Sequence, residues 1–104
     1  MIIINLPTPN ANAYIISIGA DAFRVCANNE AEAIENITKY FITQDKRDWY
    51  FSALEVELMA KSAQKTVEDF AKNADFCYCP KYKIYLPKLT IQKQTNIKED
   101  YTND

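Results

Sequence analysis

One glycine, Gly19, serves a chain of 104 residues, and its position organises the N-terminal third. Ala13–Ile18 before it concentrates β-branched and aromatic bulk in Tyr14, Ile15, Ile16 and Ile18. Ala22–Ala27 after it alternates Phe23 and Val25 on one face with Arg24 and Cys26 on the other. Gly19-Ala20-Asp21 lies between, where a tight turn wants a residue that accepts positive φ. The pattern predicts a β-hairpin.

The period then changes. Asn28-Asn29 stops the second strand, and Asn29 with Glu32 three residues on gives a capping-box-like start. Ala33, Ile34, Ile37, Tyr40 and Phe41 recur at helical spacing, which predicts a helix over roughly Glu30 to Ile42. Gln44–Asp48 is a charged loop, and Trp49-Tyr50-Phe51 follows as the densest aromatic cluster.

Ser52 with Glu55 can cap a second helix. Val56, Met59, Ala60, Ala63, Val67, Phe70 and Ala74 then hold one stripe for about five turns. Thr66 with Asp69 can restart a helix, so residues 52–75 read as one bent helix or two, broken near Gln64. Phe76–Cys79 reads as a short strand ended by Pro80. Lys81–Leu86 alternates, with Tyr82, Ile84 and Leu86 inward and Lys81, Lys83 and Tyr85 outward. Leu89-Thr90-Ile91 can add a last strand after Pro87.

The predicted architecture is a small α+β domain over residues 1–94. Its order is a hairpin, two or three helices, then C-terminal antiparallel strands, with the helices on one face of the sheet. The opening around Pro7, Pro9 and Asn10 is rich in turn formers, and the polar tail 95–104 is expected to fray. A chain of this length buries roughly two-thirds of its unfolded surface, enough for one core without metal or disulfide staples.

Composition mostly excludes chemistry. There is no histidine, so the commonest general base and metal ligand is missing. One glycine cannot supply a phosphate-cradling loop. Ser17, Ser52 and Ser62 stand in no nucleophile-elbow pattern. The carboxylate pairs Glu55/Glu57 and Glu68/Asp69 read as solvated helix surface, since a catalytic pair needs two environments that split its pKa values. A non-enzymatic protein with no cofactor is expected.

Cysteine points the same way. Cys77-x-Cys79, with Cys26 across a sheet, offers three thiolates at most, and zinc wants four ligands from two separated pairs. Small buried hydrophobes are the simpler reading. Three free thiols fit a reducing cytoplasm. The run Ile2-Ile3-Ile4 lacks the basic start and length of a signal peptide. No window approaches the ~20 apolar residues of a membrane span.

Ten lysines against two arginines, twelve isoleucines and nine asparagines suggest translation from an AT-rich genome, as in many bacteria and their phages.

Charge is uneven. Residues 1–75 carry eleven acids and seven bases, whereas 76–104 carry three acids and five lysines, with no acid from Phe76 to Lys98. Two candidate surfaces follow. Trp49, Tyr50 and Phe51 are candidate anchors for a protein partner, because Trp and Tyr are enriched at binding hot spots. Lys81, Lys83, Tyr85 and Lys88 are the candidate nucleic-acid contacts, cations beside rings. Against that stand the acidic whole (pI ≈ 5.1) and lysine's ordinary use in keeping strand edges from aggregating.

The leading expectation is an accessory protein of bacterial, phage or mobile-element origin that occludes or modulates a larger, unidentified protein, an inhibitor of a host defence nuclease being one form of it. The alternatives are a nucleic-acid-binding module using the basic C-terminal strand, and a structural subunit of a homo-oligomer. A homodimer through the Ile2–Ile4 run belongs to the last.

Overall fold

The structure, a computed structural model, describes residues 2–5 and 11–94. The turn expected around Pro7, Pro9 and Asn10 and the tail 95–104 lie outside the described residues. In chain order the elements are β1 (Ile2–Ile4), β2 (Asn12–Ile18), β3 (Asp21–Ala27), α1 (Glu30–Thr43), β4 (Phe51–Ser52), α2 (Ala53–Ser62), α3 (Val67–Asn73), β5 (Cys77–Cys79), β6 (Ile84–Leu86) and β7 (Leu89–Gln94). A 3-10 turn, Arg47–Trp49, precedes β4.

The α+β class is as expected, but the strands form two sheets rather than one. The first has the order β1-β3-β2-β7 and the second β4-β6-β5. The β2–β3 hairpin turns through a two-residue loop with Gly19 at φ +60, the placement type II′ turns use. Ile2–Ile4 adds in parallel to β3, so the apolar N-terminal run finds its strand partner within the chain. Leu89–Gln94 returns to the opposite side and pairs antiparallel with β2.

Alternation on β2 and β3 gives the first sheet one apolar face. Tyr14, Ile16 and Ile18 lie beside Val25, Phe23 and the hairpin turn, and all five are buried. Ala33, Ile37 and Phe41 of α1 cover that face. The other side of α1 meets β5, and Ile84 and Leu86 of β6 complete the same core. α1 is therefore the shared element between the sheets. Its one buried polar residue, Thr38, donates its hydroxyl to the Ile34 carbonyl at 2.7 Å, which removes the cost of burial. No helix among the described residues is long and apolar enough to cross a membrane.

Caps set the helix limits. Asn29 accepts from the Glu32 amide at 2.8 Å, while the Glu32 carboxylate turns back to Asn28. Ser52 and Glu55 form a reciprocal capping box. The long stripe does break: Thr66 accepts from the Asp69 amide at 3.1 Å and starts α3 as a separate helix.

The three α-helices of the described residues end alike. Asp45, Gln64 and Asp75 each follow the cap residue at φ 52, 57 and 56, in the left-handed region. The next amide reaches back in each case: Lys46 to Phe41 (2.9 Å), Lys65 to Ala60 (2.9 Å) and Phe76 to Ala71 (2.9 Å). These are Schellman ends built without glycine, so each holds an ordinary side chain where glycine is preferred. Gln64→Gly is expected to stabilise the chain by about 0.5–1 kcal/mol, the ~1–2 kcal/mol relieved at positive φ less the ~0.4–1 kcal/mol given back by a freer unfolded chain. Urea denaturation checks this; a clear loss of stability would mean the Gln64 side chain makes a contact that matters.

Candidate partner-binding face

The second sheet has two unlike faces. Its inner face carries Cys77, Cys79, Ile84 and Leu86 toward α1 and the core. Its outer face carries a row of rings fixed by strand register: Phe51 on β4 pairs with Tyr85 on β6, which pairs with Tyr78 on β5. Phe76, two residues before Tyr78, joins the same face. Phe76 stacks on Phe51 at 5.1 Å and meets Phe70 of α3 edge-on at 6.1 Å. Tyr85 lies 6.4 Å from Phe76 and 4.6 Å from Tyr78. The row thus grades from half-buried phenylalanines to Tyr78, which is 44% exposed.

Val56 and Ala60 of α2 are buried, whereas Leu54 and Leu58, one turn apart, are 64% and 60% exposed. Helical geometry sets Glu57 roughly 60° around the axis from Leu54, on the flank of that apolar stripe. Burial, then Tyr78, then the carboxylates of Glu68 and Glu57 raise the pKa of the Tyr85 hydroxyl. It stays neutral, a donor on a surface of negative sign. Glu57 and Glu68 therefore act on the tyrosine end of the ring row, while Leu54 and Leu58 lie about 160° around α2 from buried Val56, on its outward side.

Sequence reasoning placed the candidate sites elsewhere. Trp49, Tyr50 and Phe51 do not form one cluster. Trp49 packs edge-on against Phe23 and Phe41, each at 5.1 Å, and Tyr50 is only 8% exposed within the same core. Phe51 belongs to the outer ring row. The extended segment straightens at Tyr50, so Phe51 points away from the core that takes its two neighbours.

The basic strand is also different. Cys79 pairs with Ile84, so residues 80–83 are the hairpin loop, and Lys83 takes φ +54 there. Lys81 and Lys83 therefore do not share a strand face with Tyr85. Pro80 cannot donate to a ladder, and the Lys83 carbonyl instead accepts from the Ala53 amide at 3.2 Å. Lys81 pairs with Glu35 at 3.9 Å and Lys88 with Asp75 at 3.7 Å, which partly neutralises both.

The thiols are divided too. Cys26 lies on the face of the first sheet that turns away from α1, while Cys77 and Cys79 face the core of the second. Burial raises the Cys26 pKa more than Arg24 lowers it, and burial followed by Cys79 raises that of Cys77. At neutral pH both are thiols rather than nucleophilic thiolates. Among the described residues no group of three or more Cys, Asp or Glu side chains is gathered to hold a metal. Next to Cys26, Arg24 buries its Nε and one terminal nitrogen with no hydrogen-bond partner.

Phe76 and Tyr78 went unmarked in the sequence as part of a ring row. One signal was there: Phe76 and Tyr78 alternate with the cysteines. No protein-family model, curated protein or solved structure matches the chain.

Proposed function

We propose that this chain is a non-enzymatic binding protein that covers part of a larger protein partner with the outer face of its second sheet. The observation that carries this is a row of rings, Phe51, Phe76, Tyr85 and Tyr78, held rigid by strand pairing and opening to solvent at Tyr78. Exposed apolar patches with a polar rim mark interaction sites, and rings on a sheet lose little freedom when a partner covers them. Trp49 and Tyr50 hold the core behind that face.

A phosphate backbone fits the same face poorly. Glu57 and Glu68 flank Tyr85, and Lys81 and Lys88 already answer to Glu35 and Asp75. Electrostatic repulsion would oppose the contacts that nucleic-acid affinity requires.

A random peptide library displayed on phage and panned on the folded chain tests the proposal. The expected result is enriched peptides that bind in solution and lose at least about tenfold in affinity to a Tyr78→Ser chain, the scale of an interface ring. No enrichment over a bare surface, or binders indifferent to Tyr78, would overturn it. So would tight single-strand oligonucleotide binding that falls steeply between about 50 and 200 mM salt.

A further inference from the structure

We infer that the free edge of β1, with the groove between β1 and α1 beside it, receives an extended segment of another protein that carries an acidic side chain. This site is separate from the ring row of the second sheet and does not depend on it.

The backbone supplies the first observation. β1 is an end strand of the first sheet and pairs with β3 alone. Successive residues of a strand turn their N–H and C=O groups to opposite edges. Ile2–Ile4 therefore directs one set at β3 and the other outward, where no described strand takes it. The two edges of this sheet also differ. β7 at the other end follows Pro87 and carries exposed Lys93, a residue type that discourages further pairing. β1 holds three isoleucines and no charge, with Ile2 42% and Ile3 51% exposed.

Side chains shape the space next to that edge. A groove of about 270 Å³ lies between strand and helix, lined by Ile3, Ile4, Asn36, Lys39, Tyr40 and Thr43 among others. The four α1 residues recur at three- and four-residue spacing, so they form one stripe of the helix. A strand added to β1 would send alternate side chains into this groove.

Charge selects the occupant. Among the described residues that line the groove, only Lys39 is charged. Glu35, one turn before it, is its natural helix partner, yet Glu35 pairs with Lys81 at 3.9 Å instead. Lys39 is exposed and makes no ion pair among the described residues. A carboxylate on the added strand answers it. A second copy of this chain does not, because its β1 brings only isoleucines and a two-fold axis at the edge sets Lys39 on both sides of the seam.

The test uses capped pentapeptides as probes, Thr-Val-Glu-Val-Thr and its counterparts with Gln or Lys at the centre, titrated into the whole chain while backbone amides are followed by NMR. The glutamate peptide is expected to move the amides of Ile2–Ile4 and of Lys39–Thr43 and to leave Tyr78 unmoved. It should bind about two- to fivefold more tightly than the glutamine peptide, the scale of an exposed ion pair. Lys39→Gln should erase that preference while the β1 amides still move. A glutamate peptide with N-methyl groups on its three central amides should lose the shifts, since it cannot donate to a strand edge. Equal binding of the glutamate and glutamine peptides, tightest binding by the lysine peptide, or undiminished binding by the methylated one would overturn the site. So would β1 amides unmoved by every probe. Shifts confined to Tyr78 and Tyr85 would overturn it too, while supporting the face on the second sheet.

Discussion

Replacing Phe41 by alanine is expected to lower the stability of the chain by about 3–5 kcal/mol. Phe41 is fully buried on α1 and contacts Phe23 of the first sheet at 5.4 Å and Trp49 at 5.1 Å, both edge-on. Alanine would leave a cavity where the helix, the sheet and the turn before β4 meet, and it would remove two ring contacts of about 0.5–1.5 kcal/mol each, already counted in that total. Domains of this size are stable by only about 5–15 kcal/mol, so the loss takes a large share of the total and should show as a clearly lower urea midpoint. Trp49 is the chain's only tryptophan, and its fluorescence reports the same site during urea denaturation. A loss below about 1 kcal/mol would mean that α1 does not seat Phe41 between those rings.

Tyr78→Ala should do the opposite: little to the fold and much to binding. With 44% of its surface exposed and its ring on the rim of the row, stability should change by less than about 1 kcal/mol. Peptides selected on the face should lose about 30-fold or more in affinity, the scale of a hot-spot ring. Calorimetry on one selected peptide measures it. The contrast with Trp49 is the informative part, because a Trp49→Ala chain should lose stability through the core first and binding only as a consequence. A Trp49→Ala chain that folds normally yet loses its peptide, beside a Tyr78→Ala chain that keeps it, would move the working surface back to the 49–51 segment.

What could be read from the residues was what local chemistry decides. Gly19 between two β-rich runs and Asn29 ahead of an apolar stripe each act within a few residues, and the hairpin and α1 followed from them, while Thr66 ahead of Asp69 left one bent helix or two equally open. Pairing of distant strands was not legible. Nothing in Ile2–Ile4 says that it runs parallel to β3, and nothing in Leu89–Gln94 says that it returns to β2. The split into two sheets was therefore hidden. Lys81–Leu86 misled because a four-residue loop can continue a strand's alternation by chance; only the Cys79–Ile84 pairing reveals the turn. The aromatic triplet misled for a related reason. Adjacency in sequence groups three rings that backbone extension at Tyr50 sends to opposite sides of a sheet. The outer ring row draws instead on Phe51, Phe70, Phe76, Tyr78 and Tyr85, which no short window contains.

The pairing of β7 with β2 has a consequence in time. β2 and β3 can form their hairpin as soon as residue 27 is made, but the other edge of β2 waits for Leu89–Gln94. Until then, backbone donors and acceptors from Ala13 to Ile18 face outward beside Ile16 and Ile18, a row that any passing extended segment can join. On a ribosome adding about 5–20 residues per second, that opening lasts several seconds, and α1 can close only one face of the sheet meanwhile. A chain cut short before Leu89 would keep the opening permanently, and its fate would be set by aggregation rather than by loss of any one contact.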